Sequence, residues 1–107
     1  MWEVEYTDEF NTWFQSLDDN EQNAGPALGR RHADTIKTSR YSNMKELRTQ
    51  YAGKPYRTFF AFDPRRSAIL LIGGCKVGDK DFCKRMIPLA DHLYEVYLTE
   101  IRKEGLI

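Results

Sequence analysis

"ELRTQYAGKPYRTFF", residues 46–60, decides the fold. It reads as a β-hairpin, with "YRTFF" carrying the aromatic and β-branched residues typical of strands. An arginine sits on each arm, Arg48 and Arg57. Side chains alternate across a strand with period two. Tyr51 can pair with Lys54 across a two-residue loop, or with Tyr56 across a four-residue one. Either register puts Arg48 and Arg57 on one face, alongside Glu46. Like charges on facing strands destabilise a sheet, so an anion should compensate. Two candidates stand open: Glu46 pairs with one arginine while solvent screens the other, or the face binds phosphate through guanidinium forks.

Working outward, "DPRR" (63–66) is a turn, and "SAILLIGGCK" (67–76) is a third strand. "AILLI" is apolar on both faces, which places that strand inside the sheet. Pairing Phe62 with Ser67 sets Ile72, Gly74 and Lys76 on the Arg57 face. Leu47, Thr58, Phe60 and Phe62 fall on the other face, suited to cover by helices. Upstream, "MWEVEY" alternates like a strand. "TDEFNTWFQSL" then spaces Phe10, Trp13, Phe14 and Leu17 as one helical stripe, with Thr7 as cap. Residues 18–42 show no sustained apolar period and read mostly as loop, a long one for a small domain. The stretch after "VGDKD" is helical, with Pro88 kinking it or opening a second segment. The expected fold is α+β over a single domain, residues 1–107: an antiparallel sheet of about four strands with helices packed on one face.

At 107 residues, 41% hydrophobic and 13% aromatic, the chain has the composition of a folded domain. No apolar run approaches a membrane span, and the acidic start lacks the basic region of a signal peptide. A cytoplasmic protein with no membrane partner is the expectation. Cys75 and Cys83 match no common zinc or redox spacing and are expected as reduced, buried or half-buried thiols. Formal net charge is zero, but its distribution is uneven. Residues 1–29 hold seven acids and no Lys or Arg, and residues 30–85 hold fourteen basic residues against five acids. A basic middle between acidic ends implies a positive patch and a polyanionic partner.

The motifs "GPALGRRHADTIKTSRYSNMKELR", "GKPYRTFFAFDPRRSAILLIGGCKVGD" and "MIPLAD" follow one another as in the RelE/ParE superfamily of toxins. The chain resembles its HigB-like, phage-derived branch over nearly its whole length. That resemblance implies a toxin that cleaves messenger RNA on the translating ribosome. It also implies neutralisation by a helix-turn-helix (HigA-like) antitoxin. Carried over by position, Arg48, Arg57 and Lys76 are the catalytic candidates. Lys45 also belongs to the motif, although alternation points it to the opposite face. Lys45, Arg65, Arg66 and Lys80 are the candidate RNA contacts. Two departures stand out. Relatives commonly carry a second helix that the short segment between Asp19 and Gly25 cannot supply, and Cys83 stands where relatives often have a tyrosine.

Metal-free RNA cleavage requires activation of the 2′-hydroxyl, neutralisation of charge at the phosphate and protonation of the leaving 5′-oxygen. Arg48 and Arg57 suit the second task but stay protonated and are poor bases. Lys76 becomes a base only where cationic neighbours lower its pKa. His32 lies in the altered loop and His92 on the helix assigned to packing, so neither is placed in the site. No ligand spacing indicates a metal, and no cofactor is expected. Two other classes remain open: a non-hydrolytic binder of a protein target, and an inactive remnant that binds its antitoxin.

Overall fold

The computed structural model describes residues 4–19, 32–51, 54–76, 78 and 81–107. Its elements are β1 (Val4–Tyr6), α1 (Asp8–Gln15), β2 (His32–Thr35), β3 (Met44–Tyr51), β4 (Lys54–Phe62), β5 (Ala68–Cys75) and α2 (Phe82–Lys103). The strands form one sheet in the order β1-β5-β4-β3-β2. The α+β class is the expected one, and β2–β3, β3–β4 and β4–β5 are antiparallel. The sheet as a whole is mixed, because β1 runs parallel to β5, with Val4 opposite Ala68. A parallel neighbour needs a crossover, and the chain has one: it leaves β1 into α1 and reaches β5 only after three other strands.

Thr7 fixes that departure. Its hydroxyl accepts from the Phe10 N–H (2.9 Å) and donates to the Leu71 carbonyl (2.6 Å), capping α1 and tying the cap to β5. Asp8 and Glu9 sit in the first turn, where the helix dipole favours acids. The fifth strand, β2, lies inside the stretch read from sequence mostly as loop. "HADT" has little strand propensity of its own, and its pairing with residues 45–48 of β3 creates it. The segment between Asp19 and Gly25, where a second helix is expected to be missing, lies outside the described residues from residue 20 onward.

The β3–β4 hairpin takes the two-residue register: Tyr51 faces Lys54 and Arg48 faces Arg57. The next hairpin departs from expectation. Phe62 pairs with Ala68 rather than Ser67, so the loop has five residues, not four. Arg66 turns it in the left-handed region at φ 65°, and Asp63 N–H donates to the Ser67 carbonyl at 2.9 Å. An odd loop would flip β5, but a bulge restores it. Phe60 faces Leu70 while Phe59 faces Ile72, leaving Leu71 as the extra residue. Gly74 therefore lies on the Arg57 face, as expected, although it now stands opposite Arg57 where the four-residue loop would have put Ile72.

The helices divide between the two faces of the sheet, where the sequence reading groups them on one. Consecutive strand residues face opposite sides. A Cβ on Gly73 would lie 2.2 Å from Trp13 Cζ3 of α1, and one on Gly74 would lie 2.8 Å from Phe82 Cε2 of α2. The larger core lies under α2: Met44, Phe59, Ala61, Ile69 and Leu71 pack with Phe82, Ala90, Leu93 and Tyr94. Pro88 sits inside a single continuous helix. Asp91, buried on α2, accepts from Ser39 Oγ (2.5 Å) and Arg40 N (3.1 Å), pinning the loop between β2 and β3.

Candidate functional site: paired arginines at one end of the sheet

Glu46, Arg48 and Arg57 share the α2 face of the sheet by register, since Glu46 pairs with Phe59 and Arg48 with Arg57. Glu46 is buried, and its Oε1 lies 2.7 Å from Arg57 Nε and 3.5 Å from Arg48 Nε. The compensating anion inside the protein is thus Glu46, and it serves both arginines rather than one. The Arg57 contact is an ion pair and not an aligned hydrogen bond, because the Nε–H is buried without an acceptor along its axis. Arg57 Nη1 instead donates to the Tyr56 carbonyl at 3.1 Å. Arg57 is mostly covered, with 14% of its side chain exposed, whereas Arg48 is half exposed at 49%.

Lys76 follows β5 directly, half-buried. Its N–H donates to the Pro55 carbonyl at 2.8 Å, which prolongs the β4–β5 ladder. Alternation from Gly74 puts Lys76 on the arginine face. Residue 82, where α2 begins, lies against Gly74, the register partner of Arg57. No acidic residue stands in the first turn of α2, and Asp81 makes no side-chain cap bond there. The structure therefore brings Arg48, Arg57 and Lys76 together at one end of the sheet. His32 stands opposite Arg48 in the backbone register of β2.

The other candidates lie elsewhere. Lys45 pairs with Phe60 on the α1 face, as alternation requires, and its Nζ donates to Thr35 Oγ1 at 2.7 Å. Arg65 is at the opposite end of β4, held by Asp63 Oδ2 (3.0 Å), Glu5 Oε2 (3.4 Å) and the Tyr97 hydroxyl (2.9 Å). Arg66 is exposed on the same turn, and Lys80 lies outside the described residues. His92 is exposed on α2. Cys83 is half-buried as expected, but Cys75, at the last position of β5, is exposed; both are free thiols.

The Arg65 cluster is structural. Burial alone raises the Asp63 pKa, but hydrogen bonds from Tyr97, the Ser67 N–H and Arg65 outweigh it and hold the carboxyl below its ordinary value. Tyr97 is pushed far up, first by burial and then by its hydrogen bonds to the Glu5 and Asp63 carboxylates, so it stays a proton donor. Among the described residues, no group of His, Cys, Asp and Glu could hold a metal ion. No helix among them is long and apolar enough to cross a membrane.

Glu46 is the site residue that sequence reasoning named without selecting. Its signal was its place two residues before Arg48, on the same strand face. What the sequence could not convey is that one buried oxygen reaches both guanidinium groups.

An α+β sheet that gathers basic side chains at one end around a buried carboxylate defines the class of domain. The chain belongs to the phage-derived protein Gp49-like family, whose model matches residues 8–95. It is 49% identical over 76 residues to "Putative toxin HigB3" of Mycobacterium tuberculosis, a match covering 70% of this chain and 65% of that protein. It is 42% identical over 78 residues to "Putative toxin HigB2" of the same organism, covering 71% of this chain and 39% of that one. The chain thus spans under two thirds of the length of each of these relatives. No solved structure matches it. The resemblance to the HigB-like, phage-derived branch read from the motifs is borne out.

Proposed function

We propose that this chain is the toxin of a toxin–antitoxin pair and cleaves messenger RNA on the ribosome without a metal, in the cytoplasm. Its antitoxin is a helix-turn-helix protein. The observation that carries the reading is the cross-strand pair Arg48–Arg57 on one face with Lys76. The names of the relatives support the toxin part of this reading.

In the reaction the RNA 2′-oxygen attacks the adjacent phosphorus. A bond forms from phosphorus to O2′ and the bond to O5′ breaks. Arg57 and Arg48 meet the charge that grows on the phosphoryl oxygens, a contact stronger in the transition state than in the ground state. Glu46 already neutralises part of the pair, so it holds Arg57 in place before RNA arrives and keeps the empty site folded. One proton leaves the 2′-hydroxyl and one reaches the departing O5′; Lys76, on the same basic face, carries one of these transfers and water the other.

The test is ribosome-dependent cleavage of a messenger by purified wild type and by Lys76→Met, with melting temperature measured in parallel. A loss of cleavage of roughly 100-fold or more at unchanged melting temperature is expected, in line with general acid–base catalysis. Unchanged cleavage removes Lys76 from the mechanism. A second reading is favoured by Glu46 itself: a basic pair that is internally neutralised needs no RNA to be stable. On that reading the domain binds its antitoxin or another protein target without hydrolysis, and wild type fails to cleave.

A further inference from the structure

A phosphate that reaches Arg57 finds part of its charge already answered. Both guanidinium groups turn Nε toward the same carboxylate oxygen, Glu46 Oε1, at 2.7 Å for Arg57 and 3.5 Å for Arg48. An arginine carries five N–H donors. On Arg57 the buried Nε–H has no aligned acceptor, and Nη1 donates to the Tyr56 carbonyl. Phosphate therefore meets the Nη end of Arg57, with Glu46 behind it on the Nε side. Glu46 is held there, buried in mid-strand and paired in register with Phe59. A glutamine would fill the same space, so what the carboxylate adds at this position is charge.

That charge acts against any phosphate bound at Arg57, about 6 Å away across one guanidinium and one hydrogen bond. In a partly covered site, like charges at that distance lower anion affinity roughly tenfold or more. Free single-stranded RNA binds by releasing counterions, and each neutralised phosphate adds to affinity and to its salt dependence. A basic site that carries its own counterion gives up part of that gain. We propose that Glu46 keeps the affinity of this site for free RNA low, so that a messenger is held at Arg57 only where the ribosome presents it. Glu46 is a positioning residue that also sets specificity: it fixes Arg57 and at the same time keeps Arg57 from holding loose strands. The inference rests on the RNA reading above and deepens it.

The test uses the full chain and a fluorescent 2′-O-methyl RNA, which cannot be cleaved because its 2′-hydroxyls are blocked. Anisotropy is read over a salt series for wild type, Glu46→Gln, Glu46→Asp and the double variant Glu46→Gln/Arg57→Ala, with melting temperatures alongside. Glu46→Gln is expected to bind roughly tenfold more tightly than wild type at low salt, with a log–log salt slope steeper by about 0.7, as for one further phosphate. Glu46→Asp keeps the charge and is expected to bind like wild type, and the double variant is expected to lose the gain. No gain in Glu46→Gln, an equal gain in Glu46→Asp, or a gain kept by the double variant overturns the proposal. So does wild type that binds the free probe more tightly than about 1 µM at physiological salt, a result that counts even where Glu46→Gln melts early. Ribosome-dependent cleavage by wild type is measured beside these. Its absence removes the RNA reading and the inference with it, whereas normal cleavage without the binding differences removes the inference alone.

Discussion

Replacing Arg57 with alanine removes the nearer partner of a buried carboxylate. Among the described residues Glu46 then keeps Arg48 as its ion-pair partner, 3.5 Å away and half exposed, while its own side chain is 11% exposed. Stranding one partner of a fully buried pair costs about 3–5 kcal/mol. The remaining arginine and the partial exposure reduce this to about 2–3 kcal/mol, which is roughly 10–20 °C in melting temperature for a domain of this size. Loss of cleavage by this variant alone would therefore prove little, since the fold weakens too. The informative protein is Arg57→Ala with Glu46→Gln. Removing both charges takes away the stranded carboxylate and should restore most of the lost stability. It leaves the phosphate without its transition-state contact, which should still cost about 100- to 1000-fold in rate. Urea melts and ribosome-dependent cleavage are measured on wild type, both single variants and the double. If Arg57→Ala melts like wild type, the ion pair does not stabilise the sheet. If the double variant regains cleavage along with stability, Arg57 is scaffold and the RNA reading fails.

Asp63 has a folded pKa below its unfolded one, so the stability it supplies is present above the unfolded value near 4 and is lost as pH falls through the folded value. Melting temperature should therefore drop steeply below about pH 4, and Asp63→Asn, already destabilised at neutral pH, should show a flatter acid limb. Gly73→Ala would place a methyl 2.2 Å from Trp13 Cζ3, so it should displace α1 and cost about 1–3 kcal/mol. Trp13 fluorescence should shift with it, and an unchanged spectrum would show that α1 does not press on Gly73.

The arginine pair was legible because a two-residue loop fixes register with little freedom. Once Tyr51 faces Lys54, Arg48 must face Arg57. The alignment of β5 held for a different reason. The loop after Phe62 is one residue longer than "DPRR" indicates, and the extra residue at Leu71 undoes the error after three paired positions. Neither the loop length nor the bulge has a local signature in "FDPRRSAILLI"; both follow from how β5 packs on two sides. β2 was illegible because its four residues carry no strand pattern and gain their conformation from β3. Arg65 looked like a surface cation in "DPRR". Its partners Glu5 and Tyr97 come from the two ends of the chain, so only the tertiary fold reveals that it is occupied.

"AILLI", apolar on both faces, carried a consequence beyond a strand inside the sheet. A strand buried on both sides needs cover on both sides, and the chain has two helices to supply it. Gly73 and Gly74 allow this at consecutive positions, one without a side chain beneath Trp13 and the next without one beneath Phe82. The arginine face is therefore not a bare basic surface opposite a packed one. Its larger part is core under α2, and Arg57 lies at the end of that core where Phe82 meets Gly74. On the proposed reading, a phosphate approaches Arg57 from the strand ends, past Arg48, Lys76 and the N-terminus of α2. This geometry suits a single nucleotide strand threaded across one end of the sheet better than a duplex lying along it. Buried beside the core, Arg57 also cannot swing, so on the proposed reading the RNA conforms to the position that Glu46 sets.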